Sequence, residues 1–340
     1  MGNGIDIYSP LLGLRSYGLN NVDLSVVIVN YRSWTLLTKC LDSFKEYPPK
    51  LNYEIIVVDN DSQDDQFDKF NKKFTDIKMI ANSGNYGFSS GCNLGASVAC
   101  GKYLLFLNPD TTINSDNAIK SMFDFLNDNE SVGIVSCRTI MPNRIGGEIS
   151  YLSPWMLFGT IRNTFKLFNR SKINNRFKDE ENIWYPDWVG GSVMTIKKSF
   201  FEKVGKMNEN RYWMYYEDPD LCQRIRNHGK DVAIIRNKTI NHIGGGASKT
   251  NQKNTLMLKL EMIISAHNYI YENTSGLERI ILLTLYCNKS LITSLVKTIL
   301  NVPLFWSNRF KKNFYLLTRI ILYYVYCITH LSWKSKRIKK

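Results

Sequence analysis

Three runs of β-branched and aliphatic residues, each ending on an amide or a carboxylate, constrain this chain more than any other feature. Leu24-Ser-Val-Val-Ile-Val29 ends on Asn30-Tyr31, and Tyr53-Glu-Ile-Ile-Val-Val58 ends on Asp59-Asn60-Asp61-Ser62. Tyr103-Leu-Leu-Phe-Leu107 ends on Asn108-Pro109-Asp110. Short runs this apolar, bounded by turn residues, read as strands buried on both faces. Helical spacing lies between them. Leu36, Leu37, Cys40, Leu41 and Phe44 mark a helix from Ser33 to Phe44, Gly91–Cys100 a second and residues 116–128 a third. Lys78–Ile80, Gly133–Cys137, Val232–Ile235 and Trp188–Met194, the last interrupted by Gly190 and Gly191, complete the strands. Asp218–Asn227 closes the set as a helix. The alternation predicts an α/β fold with a doubly wound, mostly parallel sheet flanked by helices. Such sheets bind ligands beyond the carboxyl ends of their strands, where Asn30, Asp59 and Asp110 all fall.

With 340 residues the chain is long enough for this core and a second, smaller unit. The formal charge of +14 is uneven: residues 250–340 hold 14 Lys+Arg against 3 Asp+Glu, or +11, leaving +3 for residues 1–249. A basic end of this kind suits nucleic acid or an anionic membrane surface. Its long apolar helical patterns favour the membrane and argue against nucleic acid. In Leu277–Leu300, the residues Glu278, Arg279, Lys289, Ser290, Thr293 and Lys297 fall within roughly a 120° arc at helical spacing. Leu277, Ile281, Leu285, Ile292, Leu295 and Ile299 lie opposite. Phe314–Trp333 is long enough to cross a bilayer, but Arg319 and His330 interrupt it, and a charge inside a span is costly. Lys334, Lys336, Arg337, Lys339 and Lys340 follow. The 7 cysteines form no CxxC pair and read as reduced thiols. Residues 1–23 read as an irregular lead-in without a secretory pattern, and 151–186 as a loop-rich, aromatic and basic stretch.

Several positions invite chemistry, each beside a plainer reading. Asp59 opens a polar turn, or is a strand-end acid that holds a ribose or base. The segment from Asn82 to Gly95 is a loop and a closely packed helix, or one in which Gly87 and Gly91 let the main chain approach a nucleotide and Asn93 adds a contact. It is not GxGxxG, and GxxxxGK[ST] occurs nowhere, which argues against a dinucleotide dehydrogenase and a P-loop enzyme. Asn108-Pro109-Asp110 is a turn, or Asp110 supplies one of the one or two carboxylates that a Mg²⁺ or Mn²⁺ ion takes from a protein beside phosphate oxygens. Glu217-Asp218 caps the helix that follows, or Asp218 is a base within reach of a hydroxyl. His242, before Gly244-Gly-Gly246, is a surface histidine or a metal ligand.

In order along residues 24–246, VVIVNYRS, EIIVVDNDS, NYGFSSGCNLG, LLFLNPDT, WVGGSVM and MYYEDPDLCQRI resemble a family 2 inverting glycosyltransferase of the GT-A fold. Within that family they are similar to the bacterial rhamnosyltransferases of O-antigen, capsule and cell-wall polysaccharide. The resemblance implies a catalytic domain over 24–250, with a nucleotide-binding half at 24–137 and an acceptor half at 138–250, followed by a basic amphipathic helical tail at 251–340. It implies that Asn30, Tyr31 and Asp59 line the base and ribose pocket, that Gly87, Phe88 and Asn93 close over it, and that Asn108 and Asp110 stand at the metal motif. Asn108 replaces the first acid of that motif. It further implies that Trp188, Gly190 and Gly191 shape the acceptor side, that Asp218 is the base with Glu217 beside it, and that His242 is a further metal contact. The implied cofactor is a divalent cation, Mg²⁺ or Mn²⁺. The implied partners are a nucleotide-sugar donor, dTDP-L-rhamnose, and a polyprenyl-diphosphate-linked glycan acceptor at the cytoplasmic face of the plasma membrane. The residues alone leave open a nucleotidyltransferase acting on sugar phosphates, or a basic nucleic-acid-binding protein.

Overall fold

The structure, a computed structural model, describes residues 22–115, 117–142, 144–145, 153–158, 179–180, 182–244 and 252–338. Residues 1–21 of the expected lead-in and most of 151–186 lie outside that set, as do Gly245 and Gly246. The chain divides into two units. A sheet unit comprises Met1–Tyr151, Asn175–Glu209 and Glu217–Ser248, and a helical unit comprises Leu152–Asn174, Asn210–Tyr216 and Lys249–Lys340.

In the sheet unit, strands β1 (Leu24–Asn30), β2 (Tyr53–Asp59), β3 (Lys78–Ala81) and β4 (Tyr103–Leu107) run parallel in the order β3-β2-β1-β4. Their side chains alternate between two cores. Leu24, Val26 and Ile28 of β1 face one with Val57 and Leu105, while Val27 and Val29 face the other with Ile56, Val58 and Phe106. Burial on both faces explains why these strands read as unbroken apolar runs. Helices α1 (Trp34–Glu46), α2 (Gln66–Lys73), α3 (Phe88–Ser97) and α4 (Ala118–Asp128) flank the sheet. α3 lies unusually close to it. A Cβ on Gly91 would stand 2.6 Å from Val29 Cγ1, and one on Gly95 would stand 2.4 Å from Val27 Cγ1. Gly91 therefore serves packing against β1, the plainer of its two readings.

Beyond β4 the sheet departs from the expected pattern. A short β5 (Thr111–Ile113) follows Asp110, and β6 (Val132–Met141) is followed by the two-residue strands β7 (Arg144–Ile145), β8 (Asp179–Glu180) and β9 (Ile183–Trp184). The strand expected over Trp188–Met194 begins only at Val193: β10 spans Val193–Lys197 and inserts antiparallel between β4 and β6. Gly190 and Gly191 lie ahead of it, where they lend little to a strand. Helices α5 (Lys198–Lys203) and α6 (Glu217–Asn227) precede β11 (Asp231–His242). β11 runs parallel to β6 and shifts register between Ile235 and Thr239. The polar residues Arg236, Asn237 and Lys238 at that irregularity hide the strand's second half from the sequence pattern.

The helical unit contains α7 (Gln252–Asn273), α8 (Gly276–Ile299) and α9 (Asn308–His330), with 3₁₀ turns at Pro154–Leu157 and Val302–Leu304. The sequence expectation of a candidate span at 314–333 shifts here. α9 stops at His330, Leu331 turns left-handed at φ 49°, and Trp333 stacks on the buried His267 ring at 5.0 Å. Among the described residues, the helix long and apolar enough to cross a membrane, by length and composition, is instead α8. Beyond Trp333, Ser335 donates to Glu261 at 3.0 Å and Arg337 pairs with Glu261 at 3.4 Å. Arg337 is thus engaged inside the unit, and Lys339 and Lys340 lie outside the described residues.

Candidate active site

The carboxyl ends of β1 and β2 are neighbours in register, Asn30 beside Asp59. Asn30 Nδ2 donates to Asp59 Oδ1 at 3.0 Å, and the Ser62 main-chain N–H donates to Asp59 Oδ2 at 3.0 Å. The Ser62 hydroxyl donates to Asp59 as well. Burial pushes the Asp59 carboxyl above its ordinary range, against those three donors, which pull it down. Arg32, at φ 52°, ties the two loops together by donating from its main-chain N–H to Ser62 Oγ and from Nε to Ser62 O, both at 2.8 Å. The plain Asx-turn reading of Asp59 therefore holds in part: the acid organises the two strand ends. Tyr31, half-buried, lies under the Arg32 guanidinium at 5.3 Å.

The next residue, Asn60, carries the network on. Its Nδ2 donates to the carbonyl of Gly87 at 2.9 Å, and its Oδ1 accepts from Asn82 at 2.9 Å. Gly87 takes φ 94°, a conformation that costs a side-chain-bearing residue, and it leads into α3 at Phe88. Phe88 in turn lies against Gly191, where an added Cβ would stand 3.2 Å from Phe88 Cε1. Asn93 faces elsewhere. Its Nδ2 donates to Met207 O at 2.9 Å and its Oδ1 accepts from Met207 N at 3.0 Å, so the amide is committed to the protein's own main chain and not to a nucleotide.

Glu217 and Asp218 open α6, where acids are favoured by the exposed N–H groups and the helix dipole. The Gly191 main-chain N–H donates to Asp218 Oδ2 at 2.9 Å. Desolvation pushes Asp218 up to about 6, with the Gly191 N–H pulling it down. Glu217 is more deeply buried. Desolvation, reinforced by the Asp218 charge, raises it well above the carboxylate range. Its Oε2 is buried without a hydrogen-bond partner among the described residues, as suits a carboxyl that keeps its proton. Trp188, half-buried, packs on the core beneath this loop, and the buried Asp187 beside it pairs with Arg226 of α6 at 2.7 Å. Helix and glycine loop are therefore fastened at both ends.

Asn108 joins the same rim through its main-chain N–H, which donates to Ser192 O at 3.0 Å, while its carbonyl accepts from Thr111. Two residues on, Asp110 is buried, and the antiparallel pairing of β5 with β11 places His242 opposite Thr111. That register brings His242 Nε2 to 3.3 Å from Asp110 Oδ1. His242 is buried, so the surface-histidine reading fails. Neither of its ring nitrogens makes a hydrogen bond among the described residues. A carboxylate oxygen beside an imidazole nitrogen fits two positions on a divalent cation. No group of three or more His, Cys, Asp or Glu side chains forms a metal cluster among the described residues. The pair fits an ion that takes its remaining oxygens from phosphate and water.

Asn60, Ser62, Arg32 and Asp187 were not singled out by sequence reasoning. Only Asn60 and Ser62 carried a signal, as members of the polar turn after β2. The structure brings Phe88, Gly190, Gly191 and Asp218 together at one point, Asp110 and His242 at another, and Asn30 and Asp59 at a third.

Comparison with known proteins agrees with this arrangement. Residues 25–198 match the profile of glycosyl transferase family 2, and residues 174–244 match the N-terminal domain of galactosyltransferase. The chain is 29% identical over 216 residues to the low-salt glycan biosynthesis hexosyltransferase Agl10 of Haloferax volcanii, covering 62% of this chain and 64% of that protein. It is 25% identical to the rhamnosyltransferase WbbL of Escherichia coli K12, covering 59% and 75%. It is 36% identical to a poly(ribitol-phosphate) beta-glucosyltransferase of Bacillus spizizenii over 32% of this chain and 18% of that one. The chain thus spans less than two thirds of some of these relatives. Among solved structures, GalNAc-T7 with UDP, GalNAc and Mn²⁺ superposes with TM-score 0.53 at 15% identity, over 92% of this chain and 58% of that one. The mannosyltransferase PcManGT of Pyrobaculum calidifontis with GDP-Man and Mn²⁺ gives 0.50 at 12%, over 92% and 88%. At these identities they establish the GT-A fold alone.

Proposed function

The chain belongs to glycosyl transferase family 2, and from that premise we propose that it is an inverting glycosyltransferase of glycan biosynthesis with Asp218 as its base. The observation that carries this is the Asp218 carboxylate, held by the Gly191 N–H at 2.9 Å and tuned to about 6. A base of that strength is ionised at neutral pH yet still takes a proton in the transition state. Asp218 removes the proton from an acceptor hydroxyl as that oxygen bonds to the anomeric carbon. The bond from carbon to the diphosphate oxygen breaks, the nucleoside diphosphate leaves with the electron pair, and the configuration inverts. Glu217 stands beside it, its carboxyl pushed well above the ordinary range by burial and by the Asp218 charge, which disfavours a second negative charge next to the base. Asn30, Tyr31, Asp59 and Phe88 form the donor side, with Gly87 and Asn108 setting its loops. Trp188, Gly190 and Gly191 form the acceptor side. Asp110 and His242 would hold a divalent cation, Mg²⁺ or Mn²⁺, which would supply positive charge against the diphosphate. Two solved structures of the same fold, GalNAc-T7 and PcManGT, are complexes with Mn²⁺, which supports this reading.

The names of the relatives span hexosyl, rhamnosyl and glucosyl transfer. We propose L-rhamnose from dTDP-L-rhamnose as the donor sugar, a polyprenyl-diphosphate-linked glycan as the acceptor, O-antigen, capsule or cell-wall polysaccharide as the product, and the cytoplasmic surface of the plasma membrane as the location. A donor screen tests this. Purified protein with Mg²⁺ or Mn²⁺ is offered a panel of nucleotide sugars, and nucleoside diphosphate release is measured with and without a synthetic polyprenyl-diphosphate glycan. Release from dTDP-rhamnose that the acceptor stimulates is the expected result. Release from another donor corrects the sugar, and transfer of the nucleotide instead of the sugar overturns the class.

A further inference from the structure

The α8–α9 pair is built inside out for a protein in water. On α8, the row Tyr286, Ser290, Ser294 and Thr298, spaced four apart, is buried, whereas Leu277 is 72% exposed, Ile292 59% and Leu295 46%. Two of the buried hydroxyls are satisfied within their own helix: Ser290 donates to Tyr286 O and Thr298 to Ser294 O, both at 2.8 Å. Small residues on this side let α9 lie close and antiparallel, with Asn313 Nδ2 donating to Lys297 O at 3.2 Å. Near the start of α8 and the end of α9 the pair also meets α7: Leu282, Leu283 and Tyr286 pack with Ala266 and Ile270, and Tyr323 and Cys327 pack with Ile264. Much of what remains outward is apolar. It continues through the connecting turn, where Phe305 is 62% and Trp306 63% exposed, and reaches Ile328 at 75%.

The charges say what covers this surface. From 276 to 338 the chain carries Arg279, Lys289, Lys297, Arg309, Lys311, Lys312, Arg319, Lys334, Lys336 and Arg337 against Glu278 alone. A second copy of the chain would bring the same cations to the contact. An anionic bilayer offers both acyl chains for the apolar face and opposite charge for the cations. Arg319 is exposed midway along α9, and Arg309 and Lys311 are exposed just beyond the turn. A hairpin crossing the membrane would carry Arg319 into the hydrocarbon centre, at high cost. A hairpin lying flat leaves these side chains free to snorkel to headgroups.

We infer that α8, the Val302–Trp306 turn and α9 form an in-plane anchor, seated in the headgroup and acyl boundary of an anionic bilayer with Trp306 among the chains. This deepens the membrane location proposed above and rests on it, but it does not depend on which sugar is transferred. Flotation of the full chain with phosphatidylcholine vesicles, with and without phosphatidylglycerol, tests it alongside two paired variants, Phe305→Ser/Trp306→Ser and Ile292→Ser/Leu295→Ser. The wild type is expected to float with the anionic vesicles. Each variant is expected to bind at least about tenfold more weakly, with unchanged circular dichroism and unchanged donor hydrolysis. Brominated lipids should quench the wild-type tryptophan emission and lose part of that effect in the first variant. If the wild type floats with no vesicle, the membrane location itself falls. If it floats and both variants float equally well, the location stands and the hairpin is overturned as its anchor. A wild-type dimer that Ile292→Ser/Leu295→Ser converts to monomer, with flotation intact, would show the face to be a contact between copies.

Discussion

The two units handle polarity in opposite ways. In the sheet unit the interior is aliphatic, and polar groups gather where strands end, at Asn30, Asp59 and Asp110. In the helical unit His267, Asn268, Glu261 and the Ser290–Ser294–Thr298 row lie inside beside Ile264, Ile270, Leu282 and Ile320, while Leu277, Ile292, Leu295 and Ile328 lie outside. His267 sits in a box of Tyr286, Tyr323, Tyr324 and Trp333, and its Nδ1 meets Ile263 O at 2.7 Å. Burial lowers it to about 4, so it packs as a neutral ring. The difference teaches that one sequence can specify two surroundings. Strand ends gather functional groups in a buried polar network, whereas a helix pair that buries its hydroxyls leaves part of its aliphatic side exposed.

The largest effect expected belongs to the sheet unit. Asp218→Asn should lower transfer by roughly 10²–10⁴-fold while donor binding, read by calorimetry, stays near wild type. Near-normal turnover would remove Asp218 as the base. His242→Ala should weaken Mn²⁺ dependence at least as much as the roughly 10–100-fold that losing an outer-shell partner costs a metal site. Titration of activity with the metal measures it, and an unchanged titration would take His242 out of the site.

The comparison itself is broken or sharpened by a pair of changes in α8. Ser294→Leu places bulk on the buried small row and should cost about 1–3 kcal/mol of stability. Ile292→Ser, on the exposed apolar face, should fall within about 0.5 kcal/mol in detergent-free buffer. The reverse order in denaturant melts would mean that α8 is an ordinary water-facing helix. pH separates the units further. Transfer should rise with pH through about 6 as Asp218 loses its proton and then level off, which a pH–rate profile reads. Glu261 is pushed up to about 7 by burial, against Ser335 and Arg337. The folded helical unit therefore binds more protons than the unfolded chain between the ordinary carboxyl range and 7, and its stability declines as pH rises through that window. Glu261→Gln should flatten the decline in thermal melts across it. The smallest effect is Gly191→Ala. The added methyl would meet the flexible Phe88 ring at 3.2 Å, so a severalfold rise in KM with little change in kcat is expected from steady-state kinetics.

Much of the sheet unit was legible because its signals are local. An apolar run of five to seven residues bounded by polar turns can be little other than a buried strand, and strand ends are where ligands bind. β10 was misplaced because Gly190 and Gly191 interrupt an apolar run that the eye joins. The end of β11 was missed because a register shift puts Arg236, Asn237 and Lys238 in the middle of a strand. Asn93 was read as a donor contact because an amide beside glycines looks free, and only the fold shows Met207 opposite both its atoms.

The sequence by itself determined the α/β class, the positions of the first four strands, the polar residues at their ends and the basic character of residues 250–340. These follow from composition and periodicity, which act over a few residues. Only the tertiary structure decided that His242 meets Asp110, that Gly191 holds Asp218, that Trp333 and Arg337 turn back into the helical unit, and that α8 shows its apolar side outward. Each of these depends on two segments far apart in the chain meeting at a defined register, and a pattern read along one segment carries no information about which partner it will face.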